Sequence, residues 1–249
     1  MKIVILAGGL GTRLSEYTHS IPKPMVKIGK LPIVVHIMSH YLRYGFSDFI
    51  LATGYKSFVF KKYFKNFEKS SKPFNFQIKK KTCKVNIVDT GLNTLTGGRL
   101  KKIGKYLEND DDFMFTYGDG ISSVNLKKLL NFHKKNKRLI TVTAVRPPAR
   151  FGEIVLSKNK VKSFKEKPQL KNNWINGGFF IFNSKIFNFI SGDNIMLERE
   201  PFQKLTRSKN LMAFKHNGFW QCMDTMRDKN ILVKMIKEKK APWLKLKKR

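Results

Sequence analysis

Acidic residues are scarce in this chain. Aspartate and glutamate together number 17, against 50 lysines and arginines, a formal charge of +33. Cysteine is scarcer still. Cys83 and Cys222 are far apart and have no C-x-x-C spacing, so neither a disulfide framework nor a thiolate zinc site is expected, and a reducing cytoplasm is the default setting. No apolar run reaches the roughly 18 residues of a membrane-spanning helix. The apolar run Ile3-Val4-Ile5-Leu6 has strand length and passes at once into glycines, unlike a secretory leader. No internal repeat is present. Two phosphate-binding signatures are also missing. No glycine is followed by Lys-Ser/Thr in P-loop spacing, and a dinucleotide fingerprint started at Gly9 places Leu14 at its third glycine.

What is present is a strand pattern over Lys2 to Ala7 that feeds Gly8-Gly9-Leu10-Gly11-Thr12-Arg13. Such glycines let backbone N–H groups approach an anion closely. Arg13, and Lys23 between Pro22 and Pro24, supply two cations and suit a polyanion; the alternative is a tight strand-to-helix turn without a ligand. The wider charge excess is a different matter. Its 40 lysines and ten arginines are spread along the whole chain, in company with many Asn, Ile and Phe. This reads as a surface bias in composition rather than a dedicated nucleic-acid site. Weak, salt-sensitive sticking to polyanions is expected, chiefly from Lys79-Lys80-Lys81 and the tail from Lys245 to Arg249.

Strand and helix patterns alternate over the first 145 residues. Strands are expected at 2–7, 48–53, 85–89, 113–117 and 141–145, and helices at 31–44, 57–67, 98–107 and 125–135, with Asn125 as a cap. Alternation of this kind predicts an α/β fold, a mostly parallel sheet with helices on both faces. After Pro147-Pro148 the pattern changes. A hairpin is expected over 152–166, a glycine-interrupted strand over 174–182, short helices over 185–190 and 198–207, a strand over 211–215 and a last helix over 225–239. Residues 68–82 read as a loop or an oligomer-contacting excursion.

Several polar positions could carry chemistry. The strand Phe113 to Tyr117 ends in Gly118-Asp119-Gly120, and in open α/β sheets ligands sit beyond the carboxyl ends of strands. Asp119 among phosphate-binding cations suits Mg²⁺, which takes one or two carboxylates with phosphate oxygens and water. It is equally an Asp in a glycine-flanked turn. Asp224 offers a second carboxylate, yet Asp224-Thr225 is also a good helix start; Asp89 and Asp228 are lesser candidates. Lys167 can pair with a phosphate, Asn176-Gly177-Gly178 marks a close approach, and Arg99 opens a helix. Taken singly, each is as readily an exposed lysine, a bulge or a helix start.

Taken in order, LAGGLGTRL, PKPM, TGGRLK, YGDG, RFG, FKEKP, INGGFF, EREP, GFWQCMDTMRDKN and KAPW resemble the sugar-1-phosphate nucleotidyltransferases, and within them their glucose-1-phosphate cytidylyltransferase branch. The similarity runs from Met1 to about Trp243. It implies a Rossmann-like domain over 1–243, with a nucleotide-binding part at 1–145, a small sugar-binding β portion and C-terminal helix at 146–243, and a basic tail at 244–249. It implies CTP and α-D-glucose 1-phosphate as substrates, CDP-glucose and pyrophosphate as products, Mg²⁺ as cofactor and a homo-oligomer. A thymidylyl- or uridylyltransferase of the same fold, a basic nucleic-acid-binding protein and a catalytically inactive sugar-nucleotide binder are the rival readings. Carried residue by residue, Leu6, Ala7, Gly8, Gly9, Leu10 and Gly11 match the loop over the nucleotide, with Thr12 and Arg13 beside its triphosphate. Lys23 matches a phosphate-contacting lysine. Thr94, Arg99 and Gly118 match the nucleotide site, Asp119 and Asp224 the metal pair, Lys167 the holder of the sugar phosphate, and Asn176 and Gly177 the sugar-contacting strand.

Overall fold

The computed structural model describes residues 1–64, 72–107, 111–147, 152–165 and 173–245. In chain order the strands are β1 (Ile3–Leu6), β2 (Lys27–Ile28), β3 (Leu31–Pro32), β4 (Asp48–Thr53), β5 (Phe74–Ile78), β6 (Lys81–Asp89) and β7 (Asp112–Tyr117). They continue as β8 (Gly120–Ser122), β9 (Ile140–Val145), β10 (Glu153–Ser157), β11 (Lys160–Lys165), β12 (Ile175–Asn183), β13 (Leu211–His216) and β14 (Trp220–Cys222). The α-helices are α1 (Ser15–Thr18), α2 (Ile33–Arg43), α3 (Ser57–Tyr63), α4 (Thr96–Ile103), α5 (Leu126–Asn136), α6 (Glu200–Arg207) and α7 (Met226–Lys237).

Eight strands form one sheet in the order β13-β9-β12-β7-β1-β4-β6-β5. Its centre is parallel: β7, β1, β4 and β6 run the same way. A strand buried on both faces reads as a continuous apolar run, and all four residues of β1 are buried. Its side chains still alternate. Ile3 and Ile5 pack into one core with α2, α3, α5 and Leu232 of α7. Val4 and Leu6 pack into the opposite core with Leu100 and Ile103 of α4 and Leu205 of α6. Helices therefore cover both faces. None among the described residues is long and apolar enough to cross a membrane.

The sheet is mixed rather than uniformly parallel. β12 inserts between β7 and β9, antiparallel to both. Residues 74–78, expected within a loop or excursion, form the antiparallel edge strand β5. Phe74, Phe76 and Ile78 face inward by alternation while Asn75 and Gln77 stay exposed. The hairpin expected over 152–166 is β10–β11. Residues 65–67 of the expected helix, 68–71 of the expected excursion and 246–249 of the basic tail lie outside the described residues.

Candidate active site

The central parallel strands end on one side of the sheet, and the loops that follow β1, β6 and β7 meet there around a cleft of about 620 Å³. Leu6 and Ala7, then Gly8, Gly9, Leu10, Gly11, Thr12 and Arg13, line one wall. Gly11 sits at φ 69°, and a Cβ there would lie 2.9 Å from the Cβ of Lys23, so the turn that aims Arg13 requires glycine. Thr94 and Arg99 line the other wall, and Gly118 and Asp119 the floor.

Arg99 is buried, and both terminal nitrogens of its guanidinium are engaged by the protein itself. Nη1 donates to the carbonyls of Thr53 and Gly91 and to the Thr90 hydroxyl, and Nη2 to the carbonyls of Gly8 and Leu92, at 2.7–3.1 Å. A Cβ on Gly8 would fall 2.2 Å from Nη1. Arg99 thus clamps the glycine loop to the ends of β4 and β6. Burial lowers its pKa, with Asp89 opposing.

Below the loop, Arg13, Lys23, Asp119 and Asp224 converge. Lys23 Nζ donates to Asp119 Oδ2 at 2.7 Å and also to Asp224 Oδ1. Arg13 Nη1 meets Asp224 Oδ2 at 2.8 Å. The local fold explains the meeting. Asp119 precedes β8 and Asp224 follows β14, and these two short strands pair antiparallel, Trp220 opposite Ser122 and Cys222 opposite Gly120. The helix-start role does not fall to Asp224. Thr225 caps α7, and Asp228 completes its capping box. Asp228 is engaged there and by Gln221, while Asp89 closes a turn by accepting from the Gly91 N–H. Burial works against the charge of Lys23, but Asp119 and then Asp224 outweigh it and raise its pKa. Burial likewise opposes ionisation of Asp224, yet Lys23, with Cys222 and Arg13, holds its carboxyl below the usual range. The neighbouring Cys222 thiol is pushed up, first by burial and then by the two carboxylates.

Asn176 and Gly177 stand beside the cleft rather than in its lining. Asn176 Nδ2 donates to the Tyr117 hydroxyl at 3.2 Å, and Trp220 Nε1 to the Gly177 carbonyl at 2.7 Å. Tyr117 in turn donates to Glu198 Oε1, whose other oxygen accepts from Thr96. Lys167 lies outside the described residues. Sequence reasoning assigned no role to Tyr117, Glu198, Leu92 or Leu95. The signal for the leucines was there: Leu10, Leu92 and Leu95 are exposed apolar residues at the cleft, in loops that solvent alone would leave polar. Such side chains suit the flat face of a base.

The chain belongs to the nucleotidyl transferase family, whose model matches residues 2–226. It is 45% identical to a glucose-1-phosphate cytidylyltransferase of Salmonella typhi over 98% of both chains. It is 33% identical to a mannose-1-phosphate guanyltransferase of Saccharomyces cerevisiae, covering 93% of this chain and 63% of that one. In fold it resembles the crystal structure of HddC from Yersinia pseudotuberculosis complexed with GMP-PN, with a TM-score of 0.71, 24% identity, and 94% of this chain and 99% of that chain covered.

The family generally uses Mg²⁺. Among the described residues no group of three or more His, Cys, Asp or Glu side chains converges as a metal cage. The carboxylates that come together at the cleft are Asp119 and Asp224, hard oxygens gathered on one ammonium nitrogen. That pair fits Mg²⁺, which needs only one or two carboxylates when phosphate oxygens and water complete its shell.

Proposed function

We propose that the protein transfers the cytidylyl group of CTP to α-D-glucose 1-phosphate, giving CDP-glucose and pyrophosphate. The observation that carries this reading is the meeting of Lys23 with Asp119 and Asp224 beside the glycine loop, in a chain 45% identical to a glucose-1-phosphate cytidylyltransferase. An oxygen of the sugar phosphate attacks the α-phosphorus of CTP. The new P–O bond forms as the bond to the β-phosphate oxygen breaks, and pyrophosphate carries the electron pair away. The attacking phosphate is already ionised, so no general base is needed. Arg13 and Lys23 hold the β- and γ-phosphates and stabilise the charge that develops on the leaving group. The loop from Leu6 to Gly11, with Thr94, seats the nucleotide. Lys167 holds the sugar phosphate, and Asn176 and Gly177 contact the sugar. Asp119 and Asp224 would hold Mg²⁺, which when bound supplies further neutralisation of phosphate charge.

The reading extends to organisation. Residues 1–243 act as one nucleotidyltransferase unit, with 1–145 for the nucleotide and 146–243 for the sugar. The enzyme works in the cytoplasm, as a homo-oligomer and without a specific nucleic-acid partner. Support for the oligomer comes from β10–β11, which among the described residues pairs with no other strand and exposes Leu156, Val161 and Phe164. An isolated hairpin is marginal in water, and cover from another subunit would steady it.

A pyrophosphate-release screen of four nucleoside triphosphates against several sugar 1-phosphates, with and without Mg²⁺, tests the proposal. CTP with glucose 1-phosphate should turn over fastest. A faster rate with another triphosphate would reassign the base, and no release with any pair would overturn the reading.

A further inference from the structure

The carboxylate pair of the site already has a cation of its own. Lys23 Nζ touches one oxygen of each acid, Asp119 Oδ2 at 2.7 Å and Asp224 Oδ1, and Arg13 takes the remaining Asp224 oxygen at 2.8 Å. Two cations face two anions, so the cluster is neutral as it stands. Its centre is buried, while the Arg13 side chain lies largely exposed and Asp119 partly so. Lys23 and Asp224 are each only 7% exposed. The lysine stem, flanked by Pro22 and Pro24, rises from the 3₁₀ turn Lys23–Met25 and packs against Gly11, where not even a Cβ would fit without crowding it. Three of the four carboxylate oxygens of the pair are therefore engaged by the chain's own ammonium and guanidinium groups. A nucleoside triphosphate changes the balance, because its phosphate oxygens compete for those same two cations.

We propose that Lys23 is the resident counter-ion of the Asp119–Asp224 pair, and that it keeps the pair closed to divalent cations until a triphosphate draws the ammonium away. The inference rests on the nucleotidyl-transfer reading, since it takes Lys23 to be the lysine that meets phosphate. It makes triphosphate and divalent ion bind with positive coupling: each is accommodated better once the other is present. It also gives Lys23 a second role besides steadying the leaving group, as the residue that sets the order of assembly.

The test is a titration of the full-length protein with Mn²⁺ in the absence of nucleotide, followed by the electron paramagnetic resonance signal of the free ion. Melting curves with and without Mg²⁺ accompany it. Wild-type protein should take up Mn²⁺ weakly, and its melting temperature should not respond to Mg²⁺. Lys23→Met keeps the apolar stem and removes the charge, leaving two facing carboxylates without their shared partner. It should bind Mn²⁺ at least about tenfold more tightly, and its melting temperature should climb by several degrees when the ion is added, because a ligand of the folded state stabilises it. Adding Asp224→Asn to Lys23→Met should remove the gain. Should Lys23→Met fold poorly, Lys23→Gln reads the same comparison. A variant that binds Mn²⁺ no more tightly than wild type would overturn the proposal. So would wild-type protein whose melting temperature rises by several degrees with Mg²⁺ alone, a measurement that depends on no variant. Turnover is not read in either experiment, so failure here leaves cytidylyl transfer standing, and a failed transfer assay leaves the metal result standing.

Discussion

Met223 donates its backbone N–H to the Asp119 carbonyl at 2.9 Å, one rung beyond the β8–β14 ladder. That rung joins two segments far apart in sequence and brings Asp224, the next residue, to the same ammonium as Asp119. The carboxylate pair is thus a product of strand pairing, not of a contiguous motif.

Neutralising either acid should leave this ladder intact, because its bonds are made by the backbone. Asp119→Asn and Asp224→Asn are each expected to lower turnover by about 100-fold or more, the scale on which removal of preorganised charge acts. Circular dichroism should remain that of wild type. Activity within a few-fold of wild type would remove the acids from the mechanism.

Arg99 predicts a different phenotype. One of its five donor contacts, to the Gly8 carbonyl, ties the glycine loop to the end of β4 and the segment after β6 that the other four hold. Lysine keeps the charge but cannot reproduce a planar fork. Arg99→Lys should destabilise the fold on the order of 2 kcal/mol, the scale of leaving buried acceptors without donors, as read by urea denaturation, and should raise the KM for CTP more than it lowers kcat. Unchanged stability would show that the clamp is dispensable.

The cap of α7 supports Asp224 from the other side. Thr225 Oγ1 accepts from the Asp228 N–H, and Asp228 Oδ2 accepts in turn from the Thr225 N–H. Thr225→Ala should lower stability by about 1 kcal/mol and reduce turnover as the Asp224 backbone loosens. Thr225→Ser should restore both.

Acid should weaken the fold before the carboxylates protonate. His40 is buried, its Nε2 bonded to the Val124 carbonyl and its Nδ1 accepting from Arg43, a pairing that requires the neutral ring. Burial, and then the charge of Arg43, bring its pKa down to about 3. His36 and His133 shift the same way, again through burial first. An unfolded histidine titrates near 6.5, so between that pH and about 3 the unfolded chain takes up protons that the folded one refuses. Stability contributed by these rings is present above the unfolded value and is lost as pH falls. The urea midpoint at about pH 5 should lie below that at about pH 7.5, and a flat profile would contradict the assignment.

Much of this was legible in the sequence because local patterns carry it. Ile3-Val4-Ile5-Leu6 before glycines reads as a buried strand, and the chain folds it as the middle of the sheet. Asn125 reads as a cap and accepts from the Lys128 N–H. Other features depend on long-range pairing. Nothing in Ile175 to Asn183 says that this strand enters antiparallel between β7 and β9. Trp220 to Cys222 is too short to read as a strand without its partner at Gly120 to Ser122. The lysines after Ile78 obscured the alternation of Phe74, Phe76 and Ile78, although the period of two was there. In the site, the residue types of the cleft could be listed from the sequence, but the engagement of Arg99 by backbone carbonyls and of Lys23 by two acids depends on the folded geometry.

The most direct test of the central claim is a stoichiometric assay of the wild-type protein with CTP, α-D-glucose 1-phosphate and Mg²⁺, with CDP-glucose and pyrophosphate measured together. The account predicts equal amounts of both products, with formation lost in Asp119→Asn. Pyrophosphate without CDP-glucose, or no product from CTP while another triphosphate is used, would contradict it.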